Sequence, residues 1–84
     1  MAHFAQITDE NKVEQVIVIA NADCGGGDFP DSEPIGQAFI ASLGLTGTWL
    51  QTSYSGSFRN CYAGIGYVFN ASLGKYGEFL PAEQ

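Results

Sequence analysis

Thr48 to Phe69, TWLQTSYSGSFRNCYAGIGYVF, carries the only Trp of the chain, three of its four Tyr and two of its six Phe. Over the first seven residues the side chains alternate between two sides, which is the period of an extended strand. Residues 55–57 (SGS) interrupt this run, and a second alternation follows from Ala63 to Phe69. We therefore predict an antiparallel hairpin whose aromatic residues, Trp49 among them, form the nucleus of a small core.

Two more strands are predicted upstream of this hairpin. His3 to Ile7 (HFAQI) and Val13 to Ala20 (VEQVIVIA) flank a polar five-residue link that suits a turn. Val16 to Ile19 is apolar on both faces. Such a strand belongs in the middle of a sheet, with a helix covering one side and another layer or a partner covering the other.

One helix is predicted, from Pro34 to Leu43 (PIGQAFIASL), because proline fits a first helical turn and Gly44 supplies a left-handed stop. Its apolar stripe at helical spacing, expected to pack on the sheet, is Ile35, Ala38, Phe39 and Leu43. Ile40 lies off this stripe, so we predict that it contacts a partner.

A last strand, Tyr76 to Leu80 (YGEFL), ends at Pro81. The predicted order is therefore β-β-α-β-β-β. This order indicates a single α+β domain over residues 1–84, with one antiparallel sheet of four or five strands and the helix packed on one face.

The composition favours a protein that is fitted against other proteins. Only 14% of the residues are charged, against about 25% in ordinary soluble domains. The net charge of -6 argues against direct nucleic-acid binding, which requires clustered cations. The longest apolar run, residues 16–20, is too short to span a membrane, and no signal peptide is recognisable, so we expect a protein that is made in a cytoplasm and stays there or leaves inside an assembly.

Candidate sites for chemistry are few. His3 has no second ligand or acid near it in sequence, and we predict no catalytic residue, no cofactor and no metal. Two questions stay open at this stage: whether Cys24 and Cys61 form a disulfide, and whether the acids of the loop between Asp23 and Glu33 hold Ca²⁺. Oxygen-rich loops suit Ca²⁺, although the spacing matches no EF-hand.

The candidate interface residues are Phe29, Ile40, Phe58 and Arg59. Phe58 and Arg59, the only Arg, lie in the link of the central hairpin, and aromatic and Arg side chains are enriched at the centres of protein interfaces. The alternative is a Phe folded back into the core beside a solvated Arg.

Four segments of the chain resemble a family of small proteins encoded by cyanophages and other marine tailed phages. They are MAHFAQI, VEQVIVIAN, DFPDSEPIGQAFIASLGLTGTWLQTSY and FRNCYAGIGYVFN, and together they cover nearly the whole sequence. The resemblance implies a non-enzymatic structural part of a virion. It supplies no active-site residues.

Four functions are considered. The favoured one is a virion structural protein, most simply a capsid decoration or cement protein, present in many symmetric copies and bound to a major capsid or tail protein. A small tail or baseplate accessory is the first alternative, and an acidic host-directed binding module is the second. An enzyme is disfavoured because His3 lacks a nucleophile, acid or metal pattern around it.

Overall fold

The computed structural model describes residues 2–81. Its elements, in chain order, are β1 (Ala2–Ile7), β2 (Val13–Ile19), a 3₁₀ turn (Asn21–Cys24), α1 (Ser32–Ser42), β3 (Thr48–Thr52), β4 (Val68–Asn70) and β5 (Glu78–Leu80). All strand pairs are antiparallel. The α+β class and the order β-β-α-β-β-β are therefore confirmed. Within the described residues, no helix has both the length and the apolar character needed to cross a bilayer.

The strands divide into two sheets instead of forming the single sheet expected from the sequence. The larger sheet has the order β2-β1-β3, and the smaller one consists of β4 and β5. The prediction of a hairpin between residues 48–54 and 63–69 is wrong, because β3 pairs with β1 and β4 pairs with β5. The physical reason lies in the hydroxyl side chains at the end of β3 and directly after it. The hydroxyl of Thr52 accepts a hydrogen bond from the backbone N–H of Ala63 at 2.9 Å, and that of Ser53 accepts one from Ser57 at 3.1 Å, so loop turns replace a strand ladder.

The central strand of the larger sheet is β1, and β2 lies at an edge. The prediction that Val13–Ala20 lies in the middle of the sheet is therefore wrong. Phe4 and Ala5 are both fully buried although they point to opposite faces of β1, which shows that β1 is covered on both sides. Val18, in contrast, is 48% exposed.

Each face of β1 belongs to a separate core cluster. The cluster under α1 contains Ala2, Phe4, Ile19, Cys24, Ile40 and Trp49. The cluster under the smaller sheet contains Ala5, Ile7, Val13, Ala63, Phe69 and Phe79. The fold is thus three layers, with the larger sheet between the helix and the β4–β5 pair, and Trp49 lies in the core as predicted.

The helix does pack on one face of the sheet, but of the predicted stripe only Phe39 packs against the core, and it is partly buried. Its buried residues are Ser32, Gly36 and Ile40, whereas Ile35 and Leu43 are 47% and 56% exposed. A Cβ built on Gly36 would collide with the ring of Phe4 and lie 3.1 Å from Sγ of Cys24, so the missing side chain brings this face close to the sheet. Ile40 is fully buried in the same contact. It is a core residue, and its predicted role as a partner contact is withdrawn.

Candidate interaction site

Three of the four candidate interface residues meet in one cluster. The rings of Phe29 and Phe58 are parallel, with centroids 3.9 Å apart, and the ring of Tyr76 meets Phe29 edge-on at 4.9 Å. These rings come from three separate loops, which precede α1, follow β3 and connect β4 to β5. We call Phe29, Phe58 and Tyr76 the aromatic cluster. Phe29 and Phe58 are half-buried and Tyr76 is 37% exposed, so the cluster forms part of the surface.

Arg59 lies beneath the aromatic cluster and is used inside the molecule. Its guanidinium donates to both carboxylate oxygens of Glu33 and, at 3.0 Å, to the carbonyl oxygen of Gln51. Its Nε donates to the carbonyl oxygen of Tyr76 at 3.0 Å. The side chain is only 7% exposed. Arg59 is therefore a cross-link between four parts of the fold, and the prediction that it faces a partner is corrected.

The same guanidinium also contacts aromatic rings. Its central carbon lies 5.0 Å from the ring centroid of Phe29 and 5.3 Å from that of Phe69, within the range of cation–π attraction. Arg59 thus fixes the aromatic cluster to the core cluster under the smaller sheet. For Phe29 and Phe58, contact with a partner stays a prediction.

A cleft of about 250 Å³ opens beside the stacked rings. Its floor carries Ser32 and Gln51, whose Oγ and Oε1 atoms are hydrogen-bonded to each other at 2.7 Å. Since this pair is satisfied internally, it presents no prepared nucleophile or base.

A second aromatic group surrounds His3. Its ring stacks on Tyr54 with centroids 5.5 Å apart, and Tyr62 meets it edge-on at 5.6 Å. Tyr54 is 75% exposed. Burial lowers the pKa of His3 below its usual value of 6.5, which favours the neutral ring. Sequence reasoning missed this group because Tyr62 reaches His3 from a loop with no regular period.

The two cysteines are free thiols on opposite faces of the larger sheet. Cys24 is buried in the cluster under α1, and Cys61 packs against the cluster under the smaller sheet. Burial raises the pKa of each thiol above the usual 9.0. At neutral pH both are protonated, which makes them poor nucleophiles.

The acids of the loop that precedes the helix do not gather around one point. Glu33 is paired with Arg59, and across residues 2–81 no group of three or more His, Cys, Asp or Glu side chains is arranged to hold a metal ion. The candidate site is the aromatic cluster, which places the rings of Phe29, Phe58 and Tyr76 partly at the surface.

Comparison with known proteins adds no relative: the chain matches no family model, no curated protein and no solved structure.

Proposed function

We propose that this chain is a non-enzymatic structural protein of a bacteriophage virion, and that it serves as a capsid decoration or cement protein. The observation that carries the proposal is the number of large apolar side chains on the surface of so small a domain. They are Val18, Ile35, Leu43, Leu45, Tyr54, Ile65, Leu73 and Tyr76, all at least 37% exposed. An apolar surface with few charges favours burial against neighbouring proteins.

The phage assignment is supported by the sequence motifs. The MAHFA opening contributes Ala2–Ala5 to β1, and TWLQTSY contributes Thr48–Thr52 to β3. YAGIGY leads into β4, and the N–H of Gly66 donates to the carbonyl oxygen of Val13 at 2.9 Å. The motifs that carry the resemblance thus build the sheet and its connection to the second layer. A phage protein that shares them is expected to share the fold.

Capsid decoration is favoured over a tail role because the domain is short and without fibre-like repeats. Many symmetric copies let weak contacts add up, so a domain of 84 residues with a modest contact area is sufficient. The partner is then the major capsid protein. A small tail or baseplate accessory, bound to a tail protein, is the second candidate.

Quantitative mass spectrometry of purified particles tests the proposal. Capsid decoration predicts copies on the order of hundreds per particle, whereas a tail accessory predicts about six to a few dozen. Absence from washed particles would contradict both roles and leave the acidic host-directed module.

A variant pair tests whether the aromatic cluster is the docking surface. Phe58→Ala removes one stacked ring, and Leu43→Ala removes an exposed apolar side chain at the end of the helix, away from the cluster. If the cluster docks on the capsid, the Phe58 variant folds but is lost from particles, whereas the Leu43 variant is incorporated. Equal incorporation of the two folded variants would rule out this surface.

A further inference from the structure

The two edge strands of the larger sheet differ in whether their outward-facing backbone groups are hydrogen-bonded. At the β3 edge, side chains satisfy backbone groups that point away from β1. Gln37 donates to the carbonyl oxygen of Trp49 at 2.6 Å, Glu33 accepts from the N–H of Gln51 at 2.8 Å, and Arg59 donates to the Gln51 carbonyl oxygen at 3.0 Å. These contacts close this edge to another strand, because its polar groups are already used.

The β2 edge is open along most of its length. At its start, Val13 exchanges hydrogen bonds with Tyr67 and Gly66, and an antiparallel bridge joins Lys12 to Val68. Within residues 2–81, the backbone of Glu14 to Ile19 forms hydrogen bonds with β1 and with no other segment. The edge is thus competent for antiparallel pairing, and its own chain occupies only the first part.

The open part lacks the usual protection against pairing. Its sequence, EQVIVI, contains four β-branched residues, no Pro and no Lys, and its single charge is at the end that also carries a β-bulge. Six residues give a free edge of ~20 Å. Val18, on this edge, leaves 48% of its surface exposed.

We infer that this edge pairs with the same edge of a second copy, which gives a closed dimer with a continuous six-stranded sheet. Residues directly across an antiparallel pair have their side chains on the same face, and a two-fold axis perpendicular to the sheet keeps each side chain on its own face. The axis must therefore pass between one residue and the same residue of the second copy. With Ile17 on the axis, Val18 lies across from Val16 of the second copy and becomes covered. This inference goes beyond the virion role and holds whether or not the chain belongs to a particle.

Charge is compatible with self-pairing in this register. Each Glu14 lies across from Ala20 of the second copy, and the two Glu14 carboxylates are ~20 Å apart. That separation exceeds the screening length of about 8 Å at physiological salt. The remaining repulsion comes from the net charge of -6 on each copy, and it weakens as salt is added.

Association stops at two copies because the other edge is blocked. A sheet with two open edges would extend into a fibre, whereas one open and one capped edge closes after a single pairing. The contacts of Gln37, Glu33 and Arg59 with β3 therefore set the stoichiometry.

Sedimentation of the purified full chain, from about 1 μM to about 1 mM, tests the dimer. We expect a species of twice the 9.0 kDa chain mass, favoured by added NaCl. Val18→Lys is expected to raise the dimer Kd about tenfold or more, because it places an ammonium group among apolar side chains. Val18→Thr is the conservative control, and Leu43→Lys adds the same charge far from the edge; both should leave the Kd unchanged.

Hydrogen exchange on the unmodified chain provides a readout that does not depend on a variant. The N–H groups of Val16 and Val18 point away from β1, so they are expected to exchange more slowly as protein concentration rises, while the amides of β3 do not change. A monomer over the whole range would overturn the inference, and so would a dimer whose β2 amides are unaffected by concentration. Filaments would contradict the closed dimer, and pairing of β2 only with a strand of another protein would replace it.

Discussion

Arg59 and Glu33 are 26 positions apart in the chain, yet they form a two-pronged ion pair whose side chains are only 7% and 16% exposed. The pair joins the start of α1 to the loop after β3. Two charges withdrawn from water remain stable only when both partners are present and hydrogen-bonded, and this geometry provides both conditions.

Loss of one partner should therefore be costly. We expect Arg59→Met to lower the free energy of unfolding by about 3 to 5 kcal/mol, because it leaves a largely buried carboxylate without its cation. The double variant with Glu33→Met should recover part of this loss. Chemical denaturation measures the effect, with Lys12→Met, an exposed cation, as the matched control. Equal losses for the Arg59 and Lys12 variants would show that the pair contributes nothing.

Trp49 is predicted to be indispensable to the core under the helix. It is 5% exposed, and its indole N–H donates to the carbonyl oxygen of Thr46 at 3.0 Å. Trp49→Ala should destabilise the fold by about 3 to 5 kcal/mol, as other large core truncations do. Tyr54→Ala removes an aromatic ring that is 75% exposed and should cost far less. Thermal unfolding of the two variants should reveal this order, and the reverse order would place Trp49 outside the core.

Gly36 is predicted to tolerate no side chain. Alanine favours helix, which contributes up to about 1 kcal/mol in its favour, but here the new Cβ would lie 2.7 Å from Cε1 of Phe4. We expect Gly36→Ala to destabilise by about 1 to 3 kcal/mol, as overpacking does. Gly27→Ala, where a Cβ would meet no atom within 4 Å, is the control. A stabilised Gly36→Ala chain in a denaturant titration would show that helix and sheet separate easily.

The thiols should titrate as two free groups of unequal reactivity. In denaturant, a disulfide-exchange reagent should find two thiols per chain. In the native protein Cys24, 1% exposed, should react only on unfolding, and Cys61 should react first. Both reactions should be slower than that of a free thiol, because burial raises the pKa and reduces the thiolate fraction. The Cys61→Ser variant, which retains only Cys24, shows which of the two reaction rates belongs to each thiol. An absence of thiols in non-reducing denaturant would indicate a disulfide.

His3 should make the fold sensitive to mild acid. Its pKa is lowered in the folded state, so the folded chain prefers the neutral ring. The resulting stability is fully present above the unfolded value of 6.5 and is lost as pH falls through it toward the folded value. We expect the free energy of unfolding to fall as pH drops below about 7, and His3→Gln to reduce that slope. The same pH dependence of the unfolding free energy in the unmodified chain and in the His3→Gln variant would contradict this. An NMR titration of the His3 ring gives its pKa directly.

Local patterns predicted the elements of the fold well. The alternation around Trp49 indicated both a strand and a core position, and the order of elements followed from apolar period and turn residues. Strand partners could not be predicted in the same way. The hairpin prediction failed because hydroxyls of Thr52 and Ser53 accept hydrogen bonds from loop amides, which is a local competition that hydrophobic period does not register.

The helix face shows a different limit. An apolar stripe indicated Ile35 and Leu43 as buried, but the closest approach to the sheet is at Gly36, where there is no side chain. Among the candidate site residues, Phe29 and Phe58 do come together, whereas Arg59 is held inside the molecule by its ion pair with Glu33. Sequence reasoning missed this pair because Glu33 lies in another element, 26 positions away. Composition identified these residues as unusual, and only the three-dimensional contacts distinguish a cross-link from a surface group.

The position of β1 between two cores has a consequence for folding during translation. Among the described elements, translation releases β1 and β2 before the rest, whereas the core on one side is completed only by Trp49 and the core on the other only by Phe79. Contacts so distant along the chain form late, because a long loop must close before they can be made. Until those residues have been synthesised, both faces of the β1–β2 hairpin are exposed to water. During that interval the nascent chain offers its largest apolar surface to a chaperone or a partner protein.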